Sequence, residues 1–214
     1  MTVTLLEPYW TRYDAGVRPD AVVVMLHGGK DRSDQAVDNR SLSWRRSAVM
    51  QRELARRFQA AGASTWLLRF TRRGWNGGAD RVAEARRGLE DVRRELGDVP
   101  VVLLGHSMGG RTAVHVADHP NVRGVVALAP WLPAGESVAA LAGKSLYAAH
   151  GRRDRITSAR ATAAYVRRAS EVAAHAEFQD MGPLGHYLLR GRKAWNDVAL
   201  ESSLRVVGLS GPGS

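Results

Sequence analysis

The chain has 214 residues, 44% apolar and 24% charged, which suits one sizeable soluble core and is short for two domains. It has no cysteine, which excludes disulfides, thiolate metal sites and a cysteine nucleophile. Its net charge of +10 and pI near 10.9 raise the question of a nucleic-acid partner. All but three of the 31 basic residues are arginine, the exceptions being Lys30, Lys144 and Lys193. The arginine pairs, from Arg45–Arg46 to Arg167–Arg168, are spread along amphipathic segments and not clustered with aromatics, so the charge reads as solvated helix faces. No nucleic-acid partner is expected.

In chain order, apolar runs alternate with helical patterns. MTVTLLEPYWTRYD has no basic stretch leading into an apolar one, so no signal peptide is expected; no apolar run approaches the roughly 18 residues needed to span a bilayer, no membrane partner is expected, and cytoplasm is the default location. An edge strand is expected near Val3–Tyr9. Strands are predicted at 21–26, 65–70, 99–104, 122–128, 145–149 and 174–178, several of them apolar at every position, as when both faces of a sheet are covered. Between them helices are predicted at 44–61, 79–96, 108–118, 158–171 and 193–207, with Ser158 and Asp80 as caps and Gly62 and Gly97 as stops. This alternation predicts an α/β fold with a mainly parallel sheet of six or seven strands and helices on both faces. One domain is expected, with its core at about 21–207 and residues 208–214 as a flexible tail.

The chemistry is concentrated in Gly105-His106-Ser107-Met108-Gly109, placed where the strand VPVVLL hands over to the helix RTAVHVAD. A tight strand–turn–helix there strains the serine backbone and lifts its hydroxyl above the sheet, and glycine is needed where neighbouring backbones come too close for a Cβ. A serine nucleophile needs a base, and the base an orienting acid. Asp154 falls in the loop after SLYAA, and His186 in the glycine-flanked loop QDMGPLGHYLLR. Because the carboxyl ends of parallel strands share one edge, Ser107, Asp154 and His186 would gather in one crevice. His106, His115, His119, His150 and His175 are placed as packed or solvated groups, and Asp180 is the alternative acid. The strand AVVVML runs into His27-Gly28-Gly29-Lys30, whose backbone amides could serve a developing oxyanion together with the amide of Met108. No metal-ligand spacing and no phosphate-binding loop is present, so no cofactor or metal is expected.

With these parts, the chain resembles the α/β-hydrolase fold superfamily, and within it the small bacterial serine hydrolases and esterases. The resemblance implies Ser107 as nucleophile, His186 as base, Asp154 as acid, and oxyanion donors at Gly29 (or Gly28) and Met108. The segment Arg69–Trp75 resembles the Arg-Gly loop these proteins carry. Gly28, Arg73, Trp75 and Trp131 are the expected substrate-binding positions. The chain departs from the pattern in having little room for a leading hairpin. It also has little or no cap, since only WLPAGESVAALAGK (131–144) separates two strands, room for one short helix. The implied activity is cleavage of small carboxylic esters through an acyl-enzyme. Thioesterase, peptidase and acyltransferase chemistry would use the same residues, and a non-catalytic binding protein is the remaining alternative. The oligomeric state has no sequence signature.

Overall fold

A computed structural model of the protein describes residues 9–211. Its elements are β1 (Tyr9–Tyr13), β2 (Ala21–Leu26), α1 (Leu42–Ala60), β3 (Ala63–Arg69), α2 (Ala79–Leu96), β4 (Val101–His106), α3 (Met108–His115), β5 (Val122–Leu128), β6 (Ser145–His150), α4 (Ala159–Ala169), β7 (His175–Asp180) and α5 (Arg192–Val207). The strands form one sheet in the order β1-β3-β2-β4-β5-β6-β7, and only β1 runs antiparallel, against β3. The edge strand expected at Val3–Tyr9 falls, except for Tyr9, outside the described residues; the strand found begins at Tyr9. Of the expected tail, residues 212–214 also lie outside the described residues.

Continuous hydrophobicity in the central strands follows from two-sided burial. Every residue of β2 and of β4 is buried. Val22, Val24 and Leu26 face a core completed by Leu89 and Val92 of α2, Val114 of α3 and Tyr165 of α4. Val23 and Met25 face the opposite core, completed by Leu54 and Phe58 of α1 and Trp195 and Leu200 of α5. Each strand therefore supplies alternate residues to two cores, and neither set can be polar.

The ends of β4 show what local sequence rules leave out. Val99 was expected to open this strand, but Pro100 has no amide to give and the strand begins at Val101. At its other end the strand continues through Gly105 to His106, where a glycine reads as a turn. Position 105 is glycine because a Cβ there would meet the backbone of Gly109 and Gly110 at 2.5 Å. Helix α3 stops at His115, short of the expected 118. The chain then turns so that the Asn121 side chain donates to the carbonyls of Gly97 (2.9 Å) and Val99 (3.0 Å). The stretch 131–144 forms one 3-10 turn at Ala139–Leu141, and no cap domain is present among the described residues.

Strand register sets the site. Leu26 pairs with Gly105, Gly105 with Ala127, and His150 with Asp180, so β2, β4, β5, β6 and β7 all end along one edge. The loops after them carry Gly28–Gly29, Ser107, Trp131, Asp154 and His186. Gly105→Ala should cost about 3 kcal/mol and lower Tm by about 6–12 °C in a thermal melt. Gly185→Ala, whose nearest neighbour is the Arg153 carbonyl at 3.8 Å, should move Tm by about 2 °C or less. Equal melting of the two variants would show that the β4–α3 contact is not tight.

Candidate active site

Ser107 sits between β4 and α3 with φ 54° and ψ −117°, a left-handed conformation rarely held by a side-chain-bearing residue. Its amide donates to the Leu128 carbonyl at 3.1 Å, and its carbonyl accepts from the amides of Trp131 (3.1 Å) and Arg111 (3.2 Å). These bonds hold the turn on both sides and leave the hydroxyl facing His186. The His186 Nε2 lies 3.0 Å from the Ser107 Oγ, and its Nδ1 lies 2.7 Å from Asp154 Oδ2. With Nδ1–H donating to the carboxylate, Nε2 presents a lone pair to the serine hydroxyl.

Asp154 is fixed more thoroughly than its loop position suggests. Its Oδ1 accepts the amides of Ile156 (2.7 Å) and Thr157 (2.9 Å), while Oδ2 accepts the Thr157 hydroxyl (2.9 Å) and His150 Nε2 (3.0 Å) besides His186. Burial of this carboxyl works against its charge. The bonds from His150 and His186 and from the two amides outweigh burial and hold its pKa far below the usual carboxylate range. His150 is fully buried, and since Nε2 donates to Asp154, its Nδ1 accepts the Thr162 hydroxyl at 2.8 Å. The alternative acid, Asp180, instead accepts the Gly182 amide at 2.8 Å and pairs with Arg152 at 3.2 Å.

Gly28 and Gly29 lie against the turn. A Cβ at Gly28 would come within 3.3 Å of the Ser107 Cβ, and one at Gly29 within 2.5 Å of the Met108 sulfur. The Lys30 amide is used by the Arg73 carbonyl at 2.8 Å, whereas the Gly28 and Gly29 amides have no acceptor among the described residues. The amide of Met108, first residue of α3, has no partner within its helix. Free donors therefore stand on both sides of Ser107. The preceding His27 is fully buried; its Nδ1 bonds the Gly28 carbonyl at 2.6 Å and its Nε2 accepts the Phe70 amide at 3.2 Å.

Ser107 and His186 open into a cavity of about 960 Å³ that Gly28, Gly29, Arg73 and Trp131 also line. Arg73 is held at its edge by Asp38 (3.1 Å) and Gln35 (3.1 Å). Trp75 is not part of the lining. It is buried in the core, with its ring 6.4 Å from that of Trp131 and 5.6 Å from that of His115. The spacing of a rim loop gave no sign that the side chain two positions after Arg73 turns inward. Leu42, Ile156, Tyr187 and Leu189 form an exposed apolar margin to the cavity.

Three contributors escaped the sequence reading. His150 at the end of β6 and Thr157 in the loop after it both reach Asp154, and an HGRRD…T string signals neither bond. His106, expected to point away from the serine, instead lines the same cavity with its ring 5.0 Å from that of His186, and its Nε2 donates to the His186 carbonyl at 2.9 Å. It thereby ties the loop carrying His186 to β4.

The family model described as "Alpha/beta hydrolase family" matches residues 23–207. The chain belongs to that family. The hydrolase has no match among curated proteins. Among solved structures, it superposes on a thermophilic esterase from Thermogutta terrifontis bound to propionate with a TM-score of 0.75. That match has 16% identity and covers 100% of this chain and 94% of the other. An α/β serine hydrolase homologue from Coxiella burnetii gives 0.70 at 13% identity, covering 94% and 99%. An α/β serine hydrolase without lid from Xanthomonas campestris gives 0.64 at 14%, covering 96% and 97%. At these identities the likeness is one of fold.

Two buried histidines make the hydrolase's stability pH-dependent. Burial lowers the pKa of His27 to about 4 and of His106 to about 3. The unfolded chain takes up these protons near pH 6.5, so it binds more protons than the folded state once pH falls below that value. These two histidines should contribute no pH dependence above about pH 6.5, and below it each should lower stability by about 1.4 kcal/mol per pH unit down to its folded pKa, with a further loss from Asp154 below about pH 4. Urea midpoints at pH 7, 6 and 5 test this: His106→Asn should flatten the slope, and an unchanged slope would disprove the assignment.

Proposed function

We propose that this hydrolase cleaves small carboxylic esters through an acyl-enzyme, with Ser107 as nucleophile, His186 as general base and acid, and Asp154 as the orienting acid. The observation that carries the reading is the continuous relay, 3.0 Å from the Ser107 Oγ to His186 Nε2 and 2.7 Å from His186 Nδ1 to Asp154. His186 takes the hydroxyl proton as Oγ attacks the ester carbonyl, and Asp154 stabilises the imidazolium that forms. The tetrahedral oxyanion receives the amides of Gly29 and Met108, each worth about 3 kcal/mol of transition-state stabilisation. His186 then protonates the departing alcohol. A water attacks the acyl-enzyme by the same path, and the acid and free serine are released.

Support for esters comes from the cavity and from the comparisons. The cleft has no covering domain among the described residues and an apolar margin suited to a small acyl group, with Trp131 and Gly28 beside the serine. One structural neighbour is described as an esterase bound to propionate. Thioesters, amides and acyl transfer would draw on the same relay, and a panel of acyl donors separates them.

The test is covalent. A fluorophosphonate should label Ser107 stoichiometrically, and Ser107→Ala should abolish labelling and lower 4-nitrophenyl acetate turnover by about 10⁴-fold or more. Asp154→Asn should lower kcat by about 10⁴-fold. Wild-type protein that neither reacts with the phosphonate nor turns over any acyl donor would refute the reading.

A further inference from the structure

The cavity around Ser107 is charged asymmetrically. Lys30, Arg40, Arg46 and Arg73 line it, and Asp31 is the one acidic residue among its lining. Arg73 is already engaged by Asp38 and Gln35. Lys30 and Arg40 are exposed, where water solvates them. Arg46 is different. It is only partly exposed, its Nε is shut off from solvent, and that atom has no acceptor. No carboxylate among the described residues pairs with it; the guanidinium instead lies 4.9 Å from the centre of the Tyr187 ring.

An arginine left in this way is under-satisfied, because its charge has lost part of its water and gained no anion. Burial lowers its pKa, with Tyr187 acting in the opposite sense. The group lines the same cavity as Ser107 and His186, and its ring partner Tyr187 directly follows His186. The N-terminus of α1 adds to the same field. Ser41, Leu42 and Ser43 line the cavity, and the Ser41 hydroxyl is turned to Asp38 (2.8 Å) without capping the first-turn amides. The two Nη groups of Arg46, which are not shut off from solvent, match a carboxylate in two-point contact.

We propose that Arg46 binds a carboxylate on the substrate, so that the enzyme selects monoanionic esters over neutral ones. This rests on the ester-hydrolase reading above. The carboxylate sits on the acyl side or on the leaving alcohol. The apolar margin of Leu42, Ile156 and Leu189 receives the hydrocarbon between the two functional groups.

Two matched pairs test it. Mono-4-nitrophenyl glutarate against 4-nitrophenyl butyrate places the charge on the acyl side, and 4-acetoxybenzoate against its methyl ester places it on the leaving group. In at least one pair, wild-type kcat/KM should favour the anion by about tenfold or more, and Arg46→Gln should cut that ratio by about tenfold or more. Arg46→Lys should retain part of the preference. Arg160→Gln, an exposed charge outside the cavity, should leave the ratio unchanged and so separate local contact from the field of the whole protein.

Binding without chemistry provides a second readout. In calorimetry, Ser107→Ala protein should bind monomethyl glutarate more tightly than dimethyl glutarate, and adding Arg46→Gln should remove the difference. Equal losses on charged and neutral esters would reduce Arg46 to a packing partner of Tyr187 and overturn the proposal, as would equal binding of the two glutarates. Arg46-dependent binding with no ester turnover would instead sink the ester-hydrolase reading and leave the anion site standing.

Discussion

The contact between the first turn of α3 and the ends of β2 and β4 is the constraint on which the site depends. Gly109 presses so closely on Leu26 and His27 that no side chain fits between them, and Gly105 presses on Gly109 in turn. That closeness forces the left-handed backbone at Ser107, a conformation costing about 1–3 kcal/mol. Hydrogen bonds to Leu128, Trp131 and Arg111 hold it in place. The aim of the hydroxyl at His186, the free amide of Met108 and the nearness of Gly28 all follow from this one packing decision. Relaxing it would lose three parts of the site together.

The opposite side of the site is built from hydrogen bonds. Asp154 arrives on a loop, where a carboxylate is ordinarily mobile and solvated. Two backbone amides, a threonine hydroxyl and two imidazoles turn it into a buried and fixed charge. His106 does the corresponding work for the neighbouring loop by holding the His186 carbonyl. The two histidines that end β6 and β4, His150 and His106, thus support Asp154 and His186. Burial lowers the pKa of His106 to about 3, so it fixes its partner without adding a competing charge.

The fold was legible because its signals are periodic or local. Alternate residues of each central strand enter two cores, which requires unbroken apolar runs such as AVVVML, and helices with one wet face show their period. The Ser–Asp–His relay was legible because parallel strands bring their carboxyl ends to one edge, so loop membership alone places three distant residues together. What stayed hidden depends on rotamers and on contacts between loops. Nothing in HGRRD marks His150 as a donor to Asp154. Trp75 and Arg73 share a loop, yet one side chain turns into the core and the other to the cavity edge, a choice made by the space beneath α3. Arg46 lies in a helix rich in arginine, and its lack of a carboxylate partner emerges only from the folded contacts, in which its guanidinium faces the Tyr187 ring instead.

The short stretch 131–144 explains why the cleft stays open. Its Glu136 is bonded by Arg111 and by His115 (2.8 Å), and the Glu136 carbonyl accepts from Arg168 at 2.8 Å. The Tyr165 hydroxyl donates to the Ser137 carbonyl at 2.7 Å. Arg111 also stacks over the rings of Trp75 (4.4 Å) and Trp131 (4.5 Å). Burial opposes the Glu136 charge, but His115 and Arg111 prevail and lower its pKa, so the anchor stays ionised and paired. The segment that could have grown into a cover is thereby pinned to α3 and α4. The roof over the serine is left to Trp131 on one side and to the start of α1 with Tyr187 and Leu189 on the other. Selectivity in such a cleft cannot come from enclosure, and must come from the few groups at its margin that are neither fully solvated nor already partnered.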